Sequence, residues 1–501
     1  MQKKAESRRG FIKTAAVAAA GLAVMPQLAL AGRKVARPMS RTFGRLGFEV
    51  TTLGLGGQAS IQWTPEDVDP VRIIMKAFDK GINYFDTSNL YGPSQMNYGK
   101  AFGRLSLIPG RAGYNEAIRR SIFLTTKTHL RFGKGGAAAE GVSSRSNGKN
   151  ATLAADDVKR SLSQMFGDGE GSYPKGAYLD MVLIHNLNTT AEVDALYEGL
   201  YEPDPKAERI GALAVLRDLR DGTNLTGMNP GEEKLIRHVG FSGHFSAAVM
   251  MDMIRRDRDN LLDAMLVAIN ANDRLNFNMQ HNVIPVATAK NMGVIGMKVF
   301  ADGAMYTKGT HWTRDSTEVV RTVGTKELPS APLIRYSLTT PGVHTAIIGI
   351  GQINDDPALC QLEQNLAAAQ VNLSDLTQTD RREIEKMTKA VKEGKTNYFQ
   401  LNLPGLKAPA KPLIKQQKIG DERRVEISWN TAFAGDEPLK NYSVMRDGVP
   451  VGTVVHKPQT GSLPFAFTDK PADSQSHEYL VIARDMTGKT AVSEGVRVVE
   501  L

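Results

Sequence analysis

The sequence predicts an α/β chain, a (β/α)8 TIM barrel followed by a C-terminal all-β immunoglobulin-like sandwich. Eight short apolar runs with strand character alternate with segments of helical period between residues 39 and 400. Near residue 403 the composition turns to Pro and Lys, and the helical period stops. Beyond it come alternating runs separated by turn signals. The length of 501 residues suits a barrel of about 250 residues or more plus a module of about 100.

In order along the chain, the first feature is an address. Ser7-Arg8-Arg9-Gly10-Phe11-Ile12-Lys13 precedes an Ala-rich, weakly apolar stretch that ends in Ala29-Leu30-Ala31. Adjacent arginines, a moderate apolar region and an A-x-A site resemble a twin-arginine export signal, with cleavage expected after Ala31. The resemblance implies handling by the twin-arginine export machinery, no membrane insertion after cleavage, and a periplasmic or extracellular location.

RTFGRLGFEVTTLGLGG, ending at Gly57, reads as a hairpin and a first buried strand. The next strands are Ile82 to Phe85, Ile122 to Thr126, Leu179 to Ile184, His238 to Ser242, Met265 to Ile269, Val294 to Lys298 and Thr345 to Ile350. They are apolar throughout, as strands buried on both faces must be, and helical segments such as 71 to 80 and 154 to 166 separate them. A doubly wound sheet would want a G-x-G-x-x-G turn after the first strand, and LGLGGQAS does not supply one.

Residues 129 to 150, rich in Gly, Ser and basic side chains, form an insertion after the third strand, readable as a substrate-side lid or as disorder. Residues 168 to 176 read as a surface excursion. The barrel is expected over 39 to 400, a linker over 401 to 412 and the sandwich over 413 to 501. The sandwich resembles a fibronectin type III domain, with Trp429 in its core and Tyr479 at its tyrosine corner. It reads as a spacer or docking module for a carbohydrate or protein partner.

Bulk numbers exclude several classes. The net charge of +9 falls to +5 once residues 1 to 31, with five Lys/Arg against one Glu, are set aside, and no basic stripe remains to suggest nucleic acid. The single cysteine, Cys360, allows no internal disulfide and no iron–sulfur cluster, and it reads as a small buried side chain; no metal site is expected.

The densest chemical signal is GINYFDTSNLYG at 81 to 92. Groups at the C-terminal ends of parallel barrel strands converge on one mouth, so Asp86 and Tyr91 would meet Lys127 and His185 there. GINYFDTSNLYG, TTKT at 125 to 128 and LDMVLIHN at 179 to 186 resemble the aldo/keto reductases over roughly residues 39 to 400. The resemblance implies hydride transfer between a nicotinamide cofactor and a carbonyl or alcohol. Tyr91 would give the proton to the developing alkoxide, Lys127 would lower its pKa from about 10, Asp86 would anchor Lys127, and His185 would orient the substrate oxygen.

On the cofactor side the resemblance assigns Ser242 and Asn270 to the nicotinamide amide, with Asn272 as an alternative. It puts Met297 where a stacking aromatic is usual and Lys298 toward the pyrophosphate. Gly349 and Gly351 would allow close approach at the adenosine-phosphate loop, and Gln364 and Asn365 would lie near the adenine. No Lys or Arg lies between Gly351 and Asn365, whereas Asp355 and Asp356 do, so NAD(H) is expected over NADP(H). The substrate is a small molecule, and export plus the sandwich suggest a sugar or sugar derivative. Two other functions stay open: a retained-NAD enzyme that transiently oxidises a carbohydrate, as an epimerase or lyase would, and a non-catalytic nicotinamide-binding sensor.

Overall fold

The computed structural model describes residues 38–136, 139–306 and 308–500, so the expected export segment lies outside the described residues. Eight strands pair in parallel and in chain order: β1 (Leu53–Gly56), β2 (Tyr84–Asp86), β3 (Phe123–Thr128), β4 (Leu179–Ile184), β5 (Ile236–Gly243), β6 (Leu262–Ala268), β7 (Gly293–Met297) and β8 (Thr345–Ile348). β8 returns onto β1 and closes the barrel. Burial on both faces is the reason these runs are apolar: every residue of β3 and of β4 is buried.

The helices read as amphipathic covers. Asp69 caps Pro70–Asp79 by accepting from Val71 N at 2.9 Å, the proline takes the first turn where no donor is needed, and Val71, Ile73, Ile74 and Ala77 face the barrel. The helix Ala154–Phe166 occupies the segment read as helical from its period.

The N-terminal hairpin, Ser40–Thr42 against Glu49–Thr51, plugs the end of the barrel where the strands begin. Phe43 at its tip is fully buried and meets Tyr84 and Phe123 edge-on at 5.9 and 5.5 Å. A Cβ at Gly293 would lie 2.5 Å from the Phe43 ring, which explains why β7 starts with glycine. This end is sealed, and the chemistry is left to the other.

The second domain is built of two antiparallel sheets. One holds Ala410–Ile419, Glu422–Asn430 and Phe465–Asp469; the other is centred on Leu439–Arg446 and His477–Asp485. Trp429 is fully buried against Tyr442 and Phe465. Tyr479 is also buried, and its hydroxyl donates to the Asp469 carboxylate at 2.8 Å. The first strand overlaps the expected linker, with Pro412 at a register shift where its missing N–H breaks no ladder.

The domains dock through polar contacts around Phe277 and Phe433, whose rings meet edge-on at 5.1 Å. Asn278 donates to the Gly435 carbonyl at 2.8 Å, Asn282 accepts from Ala434 N at 2.8 Å, and Arg274 donates to the Asp436 carbonyl at 2.8 Å. Among the described residues no helix is long and apolar enough to cross a membrane, and no cluster of His, Cys, Asp or Glu could hold a metal ion.

Candidate active site

Asp86 is the last residue of β2, and its register partner on β3 is Thr125. Lys127 is two residues further along β3, so its side chain points to the same inner face of the barrel as Thr125, one layer nearer the mouth. There Lys127 Nζ donates to Asp86 Oδ1 at 2.5 Å and to the Thr87 carbonyl at 2.8 Å, with both side chains about 1% exposed. Burial drives this pair toward neutrality, raising the Asp86 carboxyl and lowering the Lys127 ammonium, and the attraction between the partners opposes it. Asp86 Oδ2 is buried without a hydrogen-bond partner among the described residues.

Tyr91 sits in the turn that follows β2. Its loop is tied down on all sides: Thr87 Oγ1 and Ser94 Oγ share a hydrogen bond at 2.8 Å, Ser94 Oγ donates to the Gly57 carbonyl at 2.8 Å, and Asn89 donates to Asp157 Oδ2 at 2.7 Å. Lys127 Nζ lies 4.6 Å from the centre of the Tyr91 ring, and the His185 ring stands perpendicular to it at 5.9 Å. The four residues that the sequence singled out for chemistry therefore meet in one place.

The surroundings of Tyr91 act against the lowering expected for its hydroxyl. Burial first, then the charges of Asp86 and Asp302, push the hydroxyl well above its ordinary value. The phenol is thus held protonated, as a proton donor must be, and Lys127 beside its ring can stabilise the phenolate that forms as the proton leaves.

His185 follows β4. Its backbone N donates to the Thr128 carbonyl at 2.8 Å, and Ser88 Oγ lies 3.5 Å from Nδ1. Burial first, then Lys127, push its pKa well below the ordinary value, so the ring is neutral and can offer one N–H. Beneath it, fully buried Arg131 donates to the His185 carbonyl at 3.1 Å and to the Asn186 carbonyl, and pairs with equally buried Glu192 at 3.4 Å.

An open cleft runs from Asp86 and Tyr91, between Gly56, Gly57, Gln58 and Trp63 on one side and residues between 299 and 320 on the other, to Gly349. Of the residues assigned to the cofactor, Met297, Lys298 and Gly349 line it. A Cβ at Gly349 would lie 2.9 Å from Ala59 Cβ. Ser242, Asn270, Gly351, Gln364 and Asn365 lie outside that lining. Asn270 is bonded within the chain, donating to Lys298 O and Asn397 Oδ1 at 3.0 and 2.8 Å and accepting from Asn272 N at 2.9 Å. Asn272 donates to Thr396 at 2.9 Å. Gly351 N donates to Gln361 at 2.8 Å, Gln364 donates to the Pro357 carbonyl at 2.7 Å, and Asn365 is buried in its helix.

Several site residues escaped the sequence reading. The strap from Val299 to Thr322 lines one side of the cleft and is held by Asp302, which accepts from Lys298 at 2.9 Å, from Lys308 at 2.7 Å and from Thr313 N at 2.9 Å. These two lysines, offsetting burial, hold the Asp302 carboxyl well below the usual range. Trp312 on the strap packs against His244, Tyr398 and Phe399. The insertion at 129 to 150, where described, is tied to the barrel: Ser146 donates to Asp157 at 2.9 Å and Ser143 N to Glu192 at 3.2 Å. The signal for Asp302 was present in FADG at 300 to 303; nothing local marked Trp312 or Glu192.

A closed parallel barrel with a buried Asp/Lys pair beside a half-buried Tyr and His at its C-terminal mouth defines a class of protein, and comparison with known proteins places the chain within it. The model of the aldo/keto reductase family matches residues 52–387, roughly two thirds of the chain, and the chain belongs to that family. D-arabinose 1-dehydrogenase of Saccharomyces cerevisiae is 41% identical over 81 residues, 16% of this chain and 22% of that enzyme, so the chain matches about a fifth of that relative's length. Among solved structures, a putative aldo-keto reductase from Pseudomonas aeruginosa is 21% identical with a TM-score of 0.41, covering 66% of this chain and 94% of that one. An aldo-keto reductase from Klebsiella pneumoniae in complex with NADPH is 16% identical with a TM-score of 0.41, covering 70% and 95%.

Proposed function

We propose that the chain is an oxidoreductase that moves a hydride between a nicotinamide dinucleotide and a carbonyl or alcohol group, with a sugar or sugar derivative as substrate. The observation that carries the reading is Tyr91 standing beside the buried Lys127–Asp86 pair at the floor of the cleft. The cleft fits an elongated cofactor. Gly57, where a Cβ would meet the Asp86 carbonyl at 2.4 Å, and Gly349 keep its walls close, and Trp63 Nε1 in its lining has no hydrogen-bond partner among the described residues. When bound, the nicotinamide supplies or accepts the hydride. The chain's own work is to hold the substrate oxygen between Tyr91 and His185, give it the Tyr91 proton as negative charge develops, and stabilise the phenolate through Lys127. In the oxidising direction the same hydroxyl oxygen takes the proton back.

NAD is the proposed preference. Cations do approach the loop at 351 to 365 from elsewhere in the chain, but carboxylates already match them. Arg321 is held by Asp67 at 2.6 Å, and Lys76 and Lys80 are each 3.1 Å from Glu363. A 2′-phosphate would have to compete for them. A second reading, a retained cofactor serving transient oxidation, is favoured by the strap, which Asp302 and its two lysines hold along one side of the cleft. Export by the twin-arginine route and a carbohydrate or protein partner for the fibronectin-like domain complete the proposal.

Mass spectrometry of nucleotide released from the purified folded protein, with titration of NADH and NADPH and turnover of an aldehyde panel, tests it. Turnover with tighter NADH binding supports the reading. Absence of both binding and turnover overturns it, and equal or tighter NADPH binding overturns the NAD preference alone.

A further inference from the structure

A second histidine stands beside the catalytic one. His129 lies just past the end of β3, its ring centre 5.4 Å from that of His185 at an interplanar angle of 57°. The residue is 7% exposed, and its Nδ1 is buried with no hydrogen-bond partner among the described residues. Its backbone is held in place: Arg145 N donates to the His129 carbonyl at 3.1 Å, and adjacent Thr128 donates to Asp157 at 2.9 Å. A buried polar atom left unpaired in a fixed position calls for a partner that arrives from outside the chain.

The chemistry of that partner follows from the surroundings. His129, pushed down to about 3 by burial first and then by Arg131, is neutral, as are His185 and His244. A neutral imidazole has one donor and one acceptor, which matches a hydroxyl. The buried cations nearby are already matched, Lys127 by Asp86, Arg131 by Glu192 and Lys298 by Asp302, and Arg145, whose charge also reaches His129, is exposed to solvent. The oxygen of a hydroxyl on the carbon next to a carbonyl lies about a hydrogen-bond length from the carbonyl oxygen. Two imidazoles side by side can hold both.

Resting on the oxidoreductase reading above, we propose that His129 is the specificity-determining residue of this site, binding a hydroxyl on the carbon next to the reacting carbonyl and so selecting hydroxy-carbonyl substrates over simple aldehydes. His185 takes the reacting oxygen and His129 its neighbour.

The test compares 2-hydroxypropanal with propanal, which differ by that one hydroxyl, using the full chain with its preferred nicotinamide cofactor. Wild type favours 2-hydroxypropanal in kcat/KM by about tenfold or more, mainly through KM. His129→Phe, which keeps a ring and removes both nitrogens, lowers that ratio to within about twofold of one, and His129→Leu repeats the test with a smaller side chain. His129→Gln, with a donor and an acceptor, restores part of the preference. A wild type without preference, or a ratio that survives both His129→Phe and His129→Leu, overturns the inference while leaving the oxidoreductase reading intact. Failure of wild type to reduce either aldehyde or to oxidise the matching alcohols overturns both.

Discussion

Replacing Asp86 by Asn isolates the electrostatics on which the site depends. Asp86 and Lys127 are each about 1% exposed and 2.5 Å apart, and among the described residues the ammonium has one other acceptor, the Thr87 carbonyl at 2.8 Å. Removing one partner of a buried pair costs about 3–5 kcal/mol because the other charge is left without compensation. Lys127 can escape part of that cost by losing its proton, since burial already pushes its pKa down. In the variant the unfolded chain then binds more protons than the folded one, so the destabilisation shrinks as pH rises. Urea denaturation followed by near-ultraviolet circular dichroism should give a loss of about 3–5 kcal/mol at pH 6 and a smaller loss at pH 9. The double variant Asp86→Asn/Lys127→Met should recover at least half of the loss at pH 6. A loss below about 1 kcal/mol with no pH dependence, and a double variant equal to the sum of its parts, would refute the reasoning.

Asp157, whose carboxyl burial pushes up to about 6, ties together Asn89, Thr128 and Ser146. A raised acid pKa contributes stability below the unfolded value near 4 that is lost as pH rises through 6, so wild type should lose about 1–3 kcal/mol relative to Asp157→Asn between pH 4 and pH 7, read by denaturation at both. An unchanged difference would place the titration elsewhere. Asn282→Ala removes the acceptor for Ala434 N and a donor to the Ala434 carbonyl, and should cost about 1–3 kcal/mol while speeding limited proteolysis between the domains at residues 401 to 409. Equal cleavage rates in variant and wild type would show that this contact does not hold the domains together.

The barrel was legible because burial on both faces leaves short apolar runs, and β4 has the same bounds in sequence and structure. The catalytic group was legible for a related reason: Asp86, Tyr91, Lys127 and His185 lie at or just beyond strand ends, where chain order alone brings them together. Partnerships between distant segments were not legible. Arg321 meets Asp67, 254 residues away, so a search for cations within 351 to 365 missed it. Asn270 is engaged by Asn397, 127 residues on, which takes its amide away from the role its strand position suggested. The first strand of the second domain, Ala410–Ile419, was hidden because it is the edge of its sheet and has no fully buried residue.

The most direct measurement is the single-turnover rate of hydride transfer in Tyr91→Phe, followed by the absorbance of the reduced nicotinamide with saturating aldehyde. If the phenol hydroxyl is the proton source, the rate falls by about 10²–10⁴-fold while the variant still quenches its tryptophan fluorescence on binding the nucleotide. A rate within about threefold of wild type would contradict the assignment of Tyr91 as the acid.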